Sequence, residues 1–235
     1  MKQPIYLDYD HIVQSIISFK IESFFNDSYI VSLITEAFNR LNTVPRFSEF
    51  NTDTPKYVNI SLFSNGLFCY FIKNGVLQLN CVEKYRGWSK YSRFISDLLE
   101  ILSKHDIRYK DLQVRYISIF EEISIFDKIN GKVELNAFPK FENIKLSFSF
   151  VVAGKPEKGI GNPIAHIEAR NWIPSRNGDE HASVVDITVK RDSVFNNKDV
   201  LLDAIEFYHE QEKNVFFSFI SGSFINELGP HYSNE

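Results

Sequence analysis

Apolar residues recur with a period of two along some stretches of this chain and with helical spacing along others. The switches between the two periods mark out its elements. His11 to Glu22 (HIVQSIISFKIE) alternates and is rich in β-branched side chains, which predicts a first strand. Asn26-Asp27-Ser28 then supplies a helix cap, and Ile30, Leu33, Ile34, Ala37, Phe38 and Leu41 follow at helical spacing up to Pro45. Arg46 to Pro55 is polar and is expected to form a loop. Tyr57 to Phe63 reads as a strand that turns through Ser64-Asn65-Gly66.

Asn74-Gly75 between two alternating runs is a type I′ hairpin signal, because both central residues of that turn need positive φ. A two-residue turn fixes the register: Lys73 opposite Val76, Ile72 opposite Leu77, Tyr70 opposite Leu79, Cys69 opposite Asn80 and Phe68 opposite Cys81. The two cysteines then project from opposite faces, so free thiols are expected, as suits a reducing cytoplasm. Ser89 is expected to cap a helix with the stripe Tyr91, Phe94, Ile95, Leu98, Leu99 and Leu102, ending at Lys104-His105. Leu112 to Phe120 returns as a strand.

Ile123 to Asn143 has the least regular pattern and is expected to be a seam between two α+β halves, residues 1–123 and 124–235, packed as one unit. In the second half Lys145 to Val152, Ile164 to Trp172 and Ala182 to Lys190 read as strands. Ala165, Ile167 and Ala169 alternate with His166, Glu168 and Arg170, while Val185, Ile187 and Val189 alternate with Asp186 and Thr188. If the odd-numbered residues face the core, the polar set shares the other face. Asn196-Asn197 offers a cap to a long helical stripe through Leu201, Ala204, Ile205, Tyr208, Val215, Phe216, Phe219 and Ile220. Ser221-Gly222-Ser223 is a place for a break, and Leu228-Gly229-Pro230 a stop. The tail from His231 is expected to fray. The pattern as a whole predicts an α+β fold: mainly antiparallel sheet packed against helices, with a long C-terminal helical segment.

Composition adds a stiff, aromatic-rich core, with 22 Phe and 11 Tyr against one Met in 235 residues. A net charge of −4 excludes a global basic field for nucleic acid. No apolar run reaches the roughly 20 residues needed to span a bilayer, and Asp8 and Asp10 stand where a signal peptide would be apolar. A cytoplasmic protein without a membrane role is the expectation.

Tyr85, Gly87 and Trp88 before the second helix, Val114-Arg115-Tyr116-Ile117, Val185-Asp186-Ile187, and His209-Glu210 with Phe216 and Ile220 together carry a resemblance. On these residues the chain resembles a sporadically distributed bacterial family of conserved hypothetical proteins of about this length. That family favours Asn where this chain has Ser118, and Thr and Asp where it has Ser221 and Gly222. The resemblance implies no particular reaction; its patchy distribution suggests a mobile-element setting such as a defence or toxin–antitoxin cassette.

The candidate chemistry is sparse. His166-Ile167-Glu168 has the spacing of a zinc-deaminase motif, but the Cys-x-x-Cys pair that such a site needs is absent. His166, Glu168, Arg170, Asp186 and Thr188 remain a candidate polar site for a cation or a proton relay, against the ordinary reading of a solvated face with cross-strand charge pairs. Gly154 to Gly161 runs into Pro163 and a strand, not into the helix that a phosphate cradle requires, although Lys155 and Lys158 can touch a phosphate as point charges. His209-Glu210 lacks the second histidine of a zinc protease, and His209 is expected to be packed and hydrogen-bonded. Arg115 shares a face with Ile117 and Ile119 and needs a carboxylate, for which Asp186 is the candidate. Arg86 and Trp88 either stack nucleic-acid bases or plug the hairpin-to-helix corner. No catalytic residue, metal or cofactor is assigned. The leading expectation is a non-enzymatic protein-binding or homo-oligomeric accessory subunit, with a nucleic-acid-binding protein or nuclease, and a metal-dependent enzyme on the polar strand face, as alternatives.

Overall fold

The computed structural model describes residues 4, 6–8, 11–22, 27–40, 46–49, 61–64, 68–73, 75–81, 87–130, 145–151, 162–174 and 181–232. In chain order the elements are β1 (Tyr6–Leu7), β2 (Ile12–Glu22), α1 (Asp27–Arg40), β3 (Arg46–Glu49), β4 (Ser61–Ser64), β5 (Phe68–Lys73), β6 (Val76–Cys81) and α2 (Trp88–Leu102). There follow β7 (Arg108–Glu121), a 3-10 turn at Ile125–Asp127, β8 (Lys145–Val151), β9 (Ile164–Pro174), β10 (His181–Phe195), α3 (Lys198–Phe219), α4 (Gly222–Glu227) and β11 (Pro230–His231).

Among the described residues nine strands join in one antiparallel sheet in the order β3-β4-β5-β6-β2-β7-β10-β9-β8, and β1 pairs separately with β11. The fold is α+β. At the centre of the sheet β7 pairs with β2 on one side and β10 on the other, so strands from both parts of the chain share one ladder system. The hairpin β5–β6 has the register that its Asn-Gly turn dictates, including Cys69 opposite Asn80 and Phe68 opposite Cys81. Gly75 takes φ of 73°, and Cys81 is a buried free thiol.

One face of the sheet carries the core. Ile17, Phe19, Leu77, Leu79, Val114, Tyr116, Ile187, Val189 and Ala165 are buried there, in a single cluster with the apolar stripes of the helices. Helix α2 buries Tyr91, Ile95, Leu98, Leu99 and Leu102, and the Tyr91 hydroxyl donates to the Leu79 carbonyl at 2.7 Å, tying α2 to β6. Helix α3 starts where the Asn197 side chain accepts from the Val200 amide, and buries Leu201, Ala204, Ile205 and Tyr208. The break comes at Ile220, which turns extended to bridge Ile129, after which Ser221 caps α4. The Ser221 amide donates to the Lys128 carbonyl and the Asn130 amide to Phe219, so the turn region after β7 holds the break open.

Five expectations are corrected. Arg46 to Glu49, expected as loop, pairs with β4 as a strand: antiparallel ladder bonds offset its polar composition. Helix α2 is capped by Gly87 at φ 91°, not by Ser89, so Trp88 lies inside the helix. The helix also ends at Leu102, ahead of Lys104-His105. His231, expected to begin a frayed tail, is tied down: Pro230 and His231 pair with Leu7 and Tyr6, and the His231 ring bonds Asp8 at 2.7 Å. Strands β7 and β10 outrun the expected Leu112–Phe120 and Ala182–Lys190, continuing across a bulge at Asp111 (φ 59°) opposite Asp192-Ser193 that hides their alternation.

Candidate functional site

The odd-numbered residues of β9 and β10 do face the core. Ala165, Ile167, Ala169, Val185, Ile187 and Val189 are buried, while His166, Glu168, Arg170, Asp186 and Thr188 are half-buried on the other face. The ladder sets Asp186 opposite Glu168 and Thr188 opposite both His166 and Arg115. Sheet pairing therefore brings together the whole polar set predicted from alternation, and adds Arg115 to it.

Arg115 is the organising charge. Its Nε donates to Asp186 Oδ1 at 2.9 Å and its Nη2 to Oδ2 at 2.5 Å, a two-pronged pair across the β7–β10 ladder. The Arg115 side chain is 36% exposed and that of Asp186 13%. The hydrogen bonds to Asp186 raise the guanidinium pKa above its ordinary value, against the opposing effect of burial; the charge of Glu168 adds to the rise. Glu168 in turn lies 3.4 Å from Arg170. The result is a row, Arg115, Asp186, Glu168, Arg170, in which two neighbouring carboxylates are flanked by two arginines and the four charges cancel. Among the described residues no three His, Cys, Asp or Glu side chains are grouped to hold a metal ion.

A second constellation lies on the helical side. Trp88 stacks on His209, with ring centres 3.8 Å apart, and packs edge-on against Tyr91. The Trp88 indole N–H donates to Glu206 Oε2 at 2.7 Å, and His209 Nδ1 shares a 3.0 Å hydrogen bond with the buried Tyr116 hydroxyl. Burial drives the His209 pKa down to about 3, with Lys213 adding a smaller push, so the ring is neutral near pH 7. Here His209 is packed and hydrogen-bonded, and Trp88 closes the corner where α2 meets α3.

Beside Trp88 a groove of about 330 Å³ opens between α2 and α3, with Arg93 on the α2 wall and Asp203 and Glu206 on the α3 wall. Arg86, Lys155 and Lys158 lie outside the described residues. Sequence reading missed Arg93, Asp203 and Glu206, because each falls on the solvent side of an amphipathic helix and only the crossing of the two helices brings them together. It also missed the buried polar knot at the end of β9, where Asn171 Oδ1 accepts from the Ile125 amide and the Ser183 hydroxyl. Small polar residues inside a strand carry no periodic signal.

Among the described residues no helix is long and apolar enough to cross a membrane. No protein-family model matches the chain, and no curated protein matches it either.

Proposed function

We propose that the protein is a non-enzymatic binding subunit that docks a partner protein on the sheet face opposite its helices. One observation carries this reading: the described helices crowd one face of a nine-stranded sheet, while the other holds a charge-balanced row of side chains. Ile117 and Ile119, half-buried on that same face, supply apolar contact beside the charges. A phosphate backbone demands a positive surface. Here two arginines are matched by two carboxylates and Lys190 adds a single exposed positive charge, and arginines paired beside isoleucines suit a mixed polar and apolar protein surface. The same row leaves no unengaged carboxylate pair for proton transfer.

Light scattering on the purified chain, with pulldown from cells that express it, tests the reading. A stoichiometric complex with another protein is expected, and Ile117→Glu should abolish it without lowering the melting temperature by more than a few degrees. A monodisperse monomer that captures nothing would sink the reading, and self-association alone would replace the foreign partner with a second copy.

A further inference from the structure

We propose that the groove between α2 and α3 binds a small zwitterion: a free α-amino acid with an apolar side chain. The proposal stands apart from the sheet-face reading, since it uses the other side of the molecule. Its volume, about 330 Å³, lies at the lower end of the roughly 300–1,000 Å³ typical of small-molecule sites. It has room for one amino acid.

The lining selects charge of both signs. Arg93 stands on the α2 wall, and no carboxylate among the described residues comes within ion-pair distance of it. Across the groove stand Glu206 and Asp203, one helical turn apart on α3. Glu206 is not a loose surface acid. Its Oε2 accepts the Trp88 indole N–H at 2.7 Å, which fixes the carboxylate and keeps Oε1 for a second donor. Partly exposed Trp88 and Leu202 add apolar surface to the lining, beside the hydroxyls of Ser92 and Ser96.

A simple cation that reached Glu206 would meet repulsion from Arg93, and a simple anion at Arg93 would meet Glu206. A molecule with its own carboxylate and ammonium groups satisfies both walls at once, the carboxylate on Arg93 and the ammonium on Glu206. Its apolar side chain then rests on Leu202 and Trp88. The indole that holds Glu206 also gives the site an optical reporter.

The test is titration of the full chain with L-leucine, followed by calorimetry and by tryptophan emission in a Trp172→Phe variant that leaves Trp88 as the one indole. N-acetyl-leucine lacks the ammonium group, and leucinamide lacks the carboxylate. Saturable binding of leucine is expected, with each derivative weaker by about tenfold, the loss of one charge-assisted hydrogen bond. Glu206→Gln keeps an oxygen for the indole N–H but removes the charge, so it should erase the discrimination against N-acetyl-leucine. Arg93→Gln should likewise erase the discrimination against leucinamide. Absence of saturable heat at millimolar leucine overturns the proposal, as does equal binding of both derivatives or unchanged discrimination in the two variants. Calorimetry on the unmodified chain decides the matter if the Trp172→Phe variant does not fold.

Discussion

The indole of Trp88 lies flat on the imidazole of His209, their planes 13° from parallel, so the first residue of α2 and the middle of α3 meet ring to ring. The stack, the Tyr116 hydroxyl and the surrounding core together exclude the water that a charged imidazolium would need.

That exclusion has a pH signature. His209 stays neutral down to about pH 3 in the folded chain, whereas the unfolded chain takes up the proton near 6.5. Between those values the unfolded state binds more protons, so stability falls as pH drops, by up to about 1.4 kcal/mol per pH unit from this residue. His11, whose pKa burial also lowers, acts with the same sign. Urea unfolding at pH 4, 5, 6 and 7 should show a shallower slope in His209→Phe than in the parent, by close to one proton. Identical slopes would mean that His209 is hydrated in the folded state.

The pair between Arg115 and Asp186 makes a second prediction. Arg115→Met removes the partner of a carboxylate that is nearly out of solvent, and should cost about 1–3 kcal/mol, discounted from a fully buried pair because the guanidinium is partly exposed. The double variant Arg115→Met with Asp186→Leu should recover part of that loss, since no orphan charge remains. An unchanged melting temperature in the single variant would remove Arg115 as the organiser of this face.

A third prediction has the opposite sign. The Tyr208 hydroxyl is buried without a hydrogen-bond partner among the described residues, and burial pushes its pKa up to about 12. An unsatisfied buried hydroxyl costs roughly 1–3 kcal/mol relative to a satisfied one. Tyr208→Phe should therefore leave stability unchanged or raise it, read as the midpoint of thermal unfolding. A drop of more than about 1 kcal/mol, beyond what loss of an unbonded hydroxyl allows, would reveal a bound water at that position.

Much of the fold was legible where one local rule decided the outcome. The Asn74-Gly75 turn dictated its register, the alternation in β9 and β10 sorted core from solvent face, and Ser221 marked the helix break. Even the pairing of Arg115 with Asp186 followed from two polar positions on one face that needed each other. What stayed hidden depended on distant chain. Strand β3 is polar in itself and is recruited by β4, and the bulge at Asp111 breaks the alternation that would have shown the full length of β7. Trp88 was readable as a corner plug, but neither its stack on His209 nor its bond to Glu206 has any sequence period. The groove exists only because α2 and α3 cross.

The central place of β7 also sets an order of assembly. The hairpin β5–β6 closes locally and can form within about 1–10 μs, whatever the rest of the chain is doing. The ladder through β7 must instead find Ile16 for Arg115 on one side and Thr188 on the other, across most of the sequence. Each search carries a loop-closure cost that local hairpins escape. The middle of the sheet thus carries the longest chain searches of the fold, and the Arg115–Asp186 pair exists only once the β7–β10 ladder has closed.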